Sequence, residues 1–535
     1  MKVNHIPLLE TGYFSGLTKA YLSNEHSLKP FYNHYFNLSD FELTIQERRQ
    51  FEVNRNDLFE VLKQQHAPFY QQFSYLESTV ESIKENQTFT ITTGHQICLA
   101  TGPLYFIYKI ASAIKLSCNL KALYPQYNFV PLYWMATEDH DFEEIKSIHL
   151  FNKKISWDVE NNGATGRIKT EGIQSFINQI KEILGDKINV SSFSEVIFNA
   201  YENNTSLAEA TREMVLNLFS NEGLLVLDAD NALLKNSFKE IIKQDIVGQV
   251  SYKAVTKSIE ELVSSHLIKE EKIQVKPRAI NFFYLKDNFR KRITFENNLY
   301  YVLDTDILFT EAQLMAEIEQ FPDRFSPNVI MRPLYQEHIL PNLAYIGGAG
   351  ELSYWFELKK AFEAHHTFFP SLVLRNSFLW LDKKQAEKLH QFGFTEQNVF
   401  EPTEMLIEKV LTRTGMEEIQ FQQEKIMAEK LFDQLKTSLK SVDTTLGASA
   451  DGEKHKLLKS IELLEQKANK AQKMKHETLI NQVKKIKENL FPNNGLQERH
   501  ENVLWLNAKI GAELIKKIIT LTNLERIDFI IVTEE

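Results

Sequence analysis

The sequence predicts an α/β protein: a parallel-sheet core with helical insertions, followed by a C-terminal antiparallel coiled-coil hairpin. Three observations predict it. Phe89-Thr90-Ile91-Thr92 alternates aromatic and β-branched residues as strands do, and Leu104 to Leu120, after a glycine loop, carries apolar residues at helical spacing. Phe129 to Met135, Phe-Val-Pro-Leu-Tyr-Trp-Met, is apolar throughout, which suits a parallel strand buried on both faces. From Ala428 to Leu446 and from Leu457 to Ala471 apolar residues recur at alternating steps of four and three, the spacing of a coiled coil; the pattern falters at Lys475 and resumes from Leu479 to Leu490.

Residues 1 to about 88 read as helices with polar connections, with Phe14, Tyr21, Phe31 and Tyr35 as core aromatics. Residues 89–150 form one βαβ unit. The segment from Phe151 to about Arg167 has hairpin character, with Asn161-Asn162-Gly163 as the turn. Ile173 to Phe219 reads as helices, Gly223 to Asp228 as a third strand with an acidic end, and Asn231 to Leu262 as helical again. Phe282-Phe283-Tyr284 and Tyr300-Tyr301-Val302 read as strands, and Val329 to Arg375 returns to strand, loop and helix. In the hairpin, Ala428 to Leu446 and Leu457 to Leu490 are the two helices, and Leu446 to Gly452 is the loop between them. The predicted organisation is a core over 1–385, with inserted segments at roughly 151–325, a coiled-coil domain over 386–492, and a segment over 493–535 returning to the core.

Composition narrows the function classes. The chain has 535 residues, of which 43% are hydrophobic and 25% charged, so more than one globular unit is expected. Its net charge of −10 argues against a nucleic-acid binder. The lysines of the hairpin read as a solvated helix face. Two cysteines, Cys98 and Cys118, give no disulfide framework and no zinc cluster, which fits a reducing cytoplasm. The N-terminus lacks a signal-peptide apolar core, and no apolar run reaches the ~18 residues of a membrane span.

Four strand-end motifs carry the candidate chemistry. In Thr93-Gly94-His95-Gln96, followed by Thr101-Gly102-Pro103, glycines allow close backbone approach, and a helix starting near Pro103 offers N–H groups to an anion. His95 suits acid–base work or phosphate contact, and Gln96 suits a helix cap or a ligand hydroxyl. Thr137 with Glu138, Asp139, His140 and Asp141 follows the second strand, where open α/β sheets bind ligands. These groups suit a base, an amine site or Mg²⁺; helix capping is the structural alternative. Phe325 to Glu337 contains Asn328, Gln336, and an Arg332 that precedes a proline and so reads as extended or turn, suited to a carboxylate or phosphate. Gly347, Gly348 and Gly350 form a second glycine loop before a helix, and Arg375 ends another strand. There is no P-loop, GxSxG elbow, HExxH or CxxC motif. Cys98 near His95 allows a thiolate nucleophile, although a small buried hydrophobe is the commoner use of a lone cysteine.

Taken in order, these motifs resemble the bacillithiol biosynthesis cysteine-adding enzymes. The match rests on Thr93 to Gln96, Thr101 to Tyr105 with Tyr108-Lys109, Trp134 through Glu138 to Glu144, Phe325 to Val329, Arg332-Pro333, Gly347-Gly348 with Gly350-Glu351, and Gln497-Glu498-Arg499. That family often carries glutamine where this chain has His95, which shifts weight from the imidazole to the loop backbone and Gln96. The resemblance implies a Rossmann-like core of the class I aminoacyl-tRNA synthetase type and a coiled coil that makes a homodimer. It implies a ligase that joins cysteine to glucosaminyl-malate through an amide bond, the last step of bacillithiol synthesis, with ATP as co-substrate and Mg²⁺ left open. Neither HIGH nor KMSKS is present. On this reading Glu138, Asp139, His140 and Asp141 are catalytic. Gln96, Asn328, Arg332, Gln336 and Arg375 bind substrate. Thr93, Gly94, His95, Thr101, Gly102, Gly347, Gly348, Gly350, Gln497 and Arg499 bind nucleotide, and any metal ligands are unassigned. Two other readings stay open: a nucleotidyl- or acyl-transferase of the same fold with another amine acceptor, and an inactive coiled-coil scaffold.

Overall fold

A computed structural model describes residues 1–14, 16–160, 163–185, 191–413 and 419–534. The chain divides into two compact units, one of His5–Leu379 with Leu496–Ile530, the other of Met1–Asn4, Trp380–Gly495 and Ile531–Glu535.

The first unit is built on a five-stranded parallel sheet. Its strands are β1 (Thr88–His95), β2 (Asn128–Met135), β3 (Leu225–Asp228), β4 (Asn342–Gly347) and β5 (Ser371–Leu374), in the order β5–β4–β1–β2–β3. Chain direction through the sheet therefore reverses between β1 and β4, as in a Rossmann-like doubly wound sheet. β1 and β2 pair from Thr88↔Asn128 to His95↔Met135, and all of β1 but His95 and all of β2 but Asn128 are buried. Helix α1 (Tyr105–Leu123) leaves β1, α2 (Met331–Ile339) leads into β4, and α3 (Ala349–Ala364) leaves β4. Phe89 and Ile91 of β1, Leu343 and Ile346 of β4, and Leu116 and Leu120 of α1 share one core cluster.

Between β3 and β4, ahead of α2, lie the helices Ala232–Ser237, Lys239–Ile246, Val250–Ser264 and Glu311–Gln320 and a five-stranded antiparallel sheet. That sheet holds Phe282–Lys286, Phe289–Glu296 and Leu299–Val302, with Leu308–Phe309 at one edge and Phe325–Pro327 at the other.

Several expectations are corrected. The N-terminal segment is not all helical: Lys2–Pro7 is a strand of a three-stranded sheet whose central strand is Asp528–Thr533, at the far end of the chain. No local pattern reveals so distant a pairing. Of the N-terminal aromatics, Tyr21 and Phe31 are buried, while Phe14 and Tyr35 are only partly so. The hairpin runs earlier than expected, Ser147–Leu150 against Lys153–Ser156, and turns at Phe151 and Asn152, with φ of 52° and 63°. Positive φ at both central residues matches the twist of the flanking strands. The turn assigned to Asn161-Asn162 lies outside the described residues. Arg332 is helical, not extended. Pro333 lies in the first turn of α2, where the N–H that proline lacks has no helical partner in any case.

In the second unit, α4 (Gln422–Lys440) and α5 (Leu446–Leu490) run antiparallel, joined by ion pairs Lys425–Glu465, Lys436–Asp451 and Lys454–Asp433 at 3.1, 2.6 and 2.9 Å. The loop falls at Ser441–Thr445, ahead of the expected Leu446 to Gly452. Asp443 Oδ1 accepts from the Thr445 N–H and hydroxyl at 2.8 and 2.7 Å and closes the turn. Gly447 and Gly452 lie inside α5. A Cβ on Gly447 would stand 2.7 Å from Lys440 Cε, an atom of a flexible side chain. Among the described residues no helix is long and apolar enough to cross a membrane.

Candidate active site

The crevice between β1 and β4 lies where the sheet reverses, the position at which open α/β sheets bind ligands. Gly94 is the next-to-last residue of β1 there. A Cβ on Gly94 would lie 3.3 Å from both Arg332 Nη1 and the Tyr345 hydroxyl, so glycine is what lets α2 and β4 bring these groups in. Beneath them Lys109 of α1, 1% exposed, donates to the Gly94 carbonyl and to both Glu351 oxygens at 2.7 and 2.8 Å. Glu351 also accepts from the Gly348 N–H at 2.7 Å. Burial works to raise the Glu351 carboxyl, but Lys109 outweighs it and holds the pKa below the usual range. Burial lowers Lys109, opposed by Glu351. The two therefore face each other as an ion pair.

Two guanidiniums flank this pair. Arg332 donates from Nη1 to Gln336 Oε1 at 2.9 Å and sits 5.6 Å from the Tyr345 ring, while its buried Nη2 has no partner. Arg375, 4% exposed, donates to Glu498 Oε1 at 2.7 Å and to the Asn376 carbonyl at 2.9 Å. Its Nε is buried without a partner and lies 3.8 Å from where a Gly348 Cβ would be. The ring of Tyr105 is 5.2 Å from the Arg375 guanidinium and 5.9 Å from that of Arg499, which is exposed. Unpaired buried N–H groups on charged side chains are costly unless a ligand meets them, and carboxylates and phosphates match guanidinium geometry.

Other expected ligand groups serve the scaffold. Thr93 donates to the Ile346 carbonyl at 2.9 Å, tying β1 to β4. Asn328 caps α2 by accepting from Ile330 and Met331 N–H groups at 2.9 and 3.2 Å, and Gln336 is fully buried behind Arg332. Thr101 and Gly102 are buried in a turn clamped by Asn502, which donates to the Ala100 and Gly102 carbonyls at 2.8 and 2.7 Å. Helix α1 starts at Tyr105 rather than Pro103; Leu104 N–H donates to the Glu501 carbonyl at 2.8 Å, so that N–H is not offered to an anion. Gly347 is small for packing, because a Cβ would meet Leu352 Cδ1 at 2.6 Å. Gly350 has open space. Gln497 is buried, and its neighbour Glu498 is the residue that holds Arg375.

The acidic cluster divides. Glu138 turns to Lys235 Nζ at 2.5 Å, and burial still raises its pKa. Asp139 accepts from Gln96 Nε2 at 2.8 Å and from the His140 N–H at 2.8 Å. Burial works to raise Asp139, but the hydrogen bonds from His140 and Gln96 and the charge of Arg290 hold it well below the usual carboxylate range. His140 Nδ1 accepts from Arg290 Nη1 at 2.9 Å, and Asp141 is exposed. The cluster is therefore neither a helix cap nor a metal cage: among the described residues no three His, Cys, Asp or Glu are gathered to hold an ion. His95 donates from Nδ1 to the Gln96 carbonyl at 2.8 Å, and burial with Lys109 pushes its pKa down to about 4. It is neutral near pH 7. Burial pushes the Cys98 thiol up to about 12, which removes it as a nucleophile.

Residues 1–376 match the family model described as Bacillithiol biosynthesis BshC, N-terminal Rossmann-like domain, and residues 378–534 match Bacillithiol biosynthesis BshC, C-terminal coiled-coil domain. The chain belongs to the bacillithiol biosynthesis BshC family. A Flavobacterium johnsoniae protein named "Putative cysteine ligase BshC" is 41% identical over 100% of both chains. Proteins of the same name from Cytophaga hutchinsonii and Bacillus cereus are 37% identical over 96% of both chains and 26% identical over 94% of this chain and 95% of theirs. In this BshC chain, sequence reasoning gave no role to Lys109, Glu351, Tyr345, Lys235, Arg290 or Glu498. Lys109 left a signal: it stands alone in the apolar run Tyr105 to Ala111. The others gain their meaning only from partners distant in the chain.

Proposed function

We propose that the protein joins L-cysteine to glucosaminyl-malate through an amide bond at the expense of ATP, completing bacillithiol in the cytoplasm. The observation that carries this reading is the pair of buried guanidiniums, Arg332 and Arg375, each with an N–H lacking a partner, beside the Lys109–Glu351 pair. Malate presents two carboxylates, one for each. Asp139, kept ionised and positioned by Gln96, suits the cysteine ammonium, which places the cysteine carboxyl toward the crevice. The sugar amine attacks that carboxyl once ATP has activated it; the C–N bond forms as the C–O bond to the AMP or phosphate leaving group breaks, and the amine proton goes to solvent or to a neighbouring carboxylate.

For ATP, the exposed Arg499 beside Tyr105 and Arg375 fits an anionic phosphate, whereas the start of α1 does not, because Leu104 N–H is already bonded. ATP supplies the activation of the carboxyl. A Mg²⁺ ion that travels with the nucleotide keeps mostly water and phosphate oxygens and needs no protein cage. The coiled coil forms a homodimer on this reading. Leu435 (44% exposed), Leu464 (58%) and Met474 (60%) are large apolar side chains open on its surface, which a second copy would cover.

The test is direct. Purified protein with cysteine, ATP and glucosaminyl-malate is expected to yield the amide product together with AMP or ADP, read by mass spectrometry. No product and no nucleotide cleavage would contradict the proposal and favour a transferase with another amine acceptor.

A further inference from the structure

Arg290 lies in the inserted antiparallel sheet, in the strand Phe289–Glu296, and is 7% exposed. Its guanidinium is anchored within that sheet. Nε donates to the Ser326 hydroxyl at 2.9 Å and Nη2 to the Pro327 carbonyl at 2.8 Å, both in the edge strand Phe325–Pro327. The Phe283 ring lies 4.0 Å from the guanidinium carbon. Nη1 reaches out of the sheet to His140 Nδ1, 2.9 Å away, in the loop that follows β2. The imidazole itself sits 5.5 Å from the Phe283 ring.

The bond from Arg290 sets where the imidazole carries its proton. A guanidinium has N–H groups and no acceptor, so it can only donate. His140 Nδ1 therefore accepts, and the ring holds its proton on Nε2. The other neighbour of Nδ1, Asp139 Oδ1, is 3.6 Å away, beyond hydrogen-bond reach, and already accepts from the His140 backbone N–H at 2.8 Å. Because Arg290 is fixed by Ser326, Pro327 and Phe283, it fixes the orientation of the ring as well as its tautomer. The His140 side chain keeps 44% exposure, and among the described residues no group bonds to Nε2. A single oriented N–H is left facing outward beside the Asp139 carboxylate.

We infer, resting on the ligase reading above for the substrate, that His140 is a catalytic hydrogen-bond donor, kept in its Nε2–H form by Arg290, for the carboxyl oxygen of the amino acid whose ammonium meets Asp139. In an α-amino acid the two groups share one carbon, so a substrate held by its ammonium at Asp139 brings its carboxyl to the adjoining imidazole. When the acceptor amine attacks the activated carboxyl, the C–N bond forms and the carbonyl π pair moves onto that oxygen. The C=O bond re-forms as the C–O bond to the AMP or phosphate leaving group breaks. His140 keeps its proton throughout. Its N–H stabilises the negative oxygen and, being oriented beforehand, needs no reorganisation as the charge develops. Arg290 is a positioning residue that acts through His140. A histidine held this way is not the general base, because Nδ1 is occupied by Arg290 and Nε2 already carries the proton.

Two measurements on the full-length protein separate the tautomer from the reaction. Protein with nitrogen-labelled histidine rings is examined by long-range proton–nitrogen NMR, with His140→Gln identifying the His140 signal. The expected result is a neutral ring protonated on Nε2, which becomes a mixture of tautomers in Arg290→Met. In the ligation assay, a glutamine amide nitrogen falls near the place of Nε2 and an asparagine amide nitrogen near that of Nδ1. His140→Gln is therefore expected to retain at least tenfold more kcat than His140→Asn, with similar KM for cysteine in the two variants. A wild-type ring protonated on Nδ1, a tautomer unchanged in folded Arg290→Met, or equal kcat for the Gln and Asn variants would overturn the inference while leaving the ligase reading in place. A wild-type protein that forms no amide while its His140 is protonated on Nε2 would overturn the ligase reading, and the donor role in that reaction with it.

Discussion

At the scale of single residues, the site is governed by which charges are met and which are not. Lys109 is fully buried and its charge is matched by Glu351, whose side chain keeps 29% exposure. Lys109→Met removes one partner and leaves the carboxylate facing an apolar floor. We expect a loss of about 3 kcal/mol in urea unfolding, the low end for a broken buried pair because Glu351 reaches water. The double variant with Glu351→Gln is expected to recover part of that loss. His95 gives a second prediction. Its folded pKa of about 4 lies below the ordinary value of 6.5, so between those pH values the unfolded chain binds more protons. Its contribution therefore falls as pH drops from 6.5 towards 4. His95→Gln is expected to flatten the stability–pH curve in that window, and an unchanged slope would show that His95 is not held neutral.

At the scale of elements, the site depends on how α2 and β1 present their ends. Asn328 holds the first turn of α2, the helix that carries Arg332. Asn328→Ala is expected to cost about 1 kcal/mol in stability, the usual worth of an N-cap, and to raise KM for the carboxylate substrate more than it lowers kcat. Gly94→Ala puts a methyl 3.3 Å from Arg332 Nη1, so it is expected to weaken carboxylate binding strongly while the fold persists. The same elements show what the sequence could and could not reveal. β2 was legible because a strand buried on both faces must be apolar along its length. α1 and the two coiled-coil helices were legible by periodicity. Lys2–Pro7 was not, because its partner strand is the last of the chain. The coiled-coil loop was misplaced because Gly447 and Gly452 look like a loop, yet helices tolerate glycine at about 1 kcal/mol each. In the site, Arg375, Gln96 and Asp139 were legible as polar groups at strand ends, and Arg332 as a guanidinium beside a proline, although its helix was not. The division of the acidic cluster was not: Lys235 draws Glu138 one way and Gln96 holds Asp139 another, and both pairings span long stretches of chain.

At the scale of the whole molecule, each unit has its own task. The Rossmann-like unit holds the crevice at its switch point, and the coiled-coil unit leaves apolar side chains uncovered. For the homodimer proposed above, Leu464→Glu, at a position 58% exposed, is expected to give a monomer in light scattering without unfolding the chain. The central claim is that Arg332 and Arg375 recognise a dicarboxylate at the β1–β4 crevice. Calorimetric titration of the full-length protein with L-malate tests it most directly, with Arg332→Lys, checked for a native circular dichroism spectrum, as the comparison. The account predicts saturable binding to the wild type and at least tenfold weaker binding to the variant; equal binding by both, or none by the wild type, would contradict it.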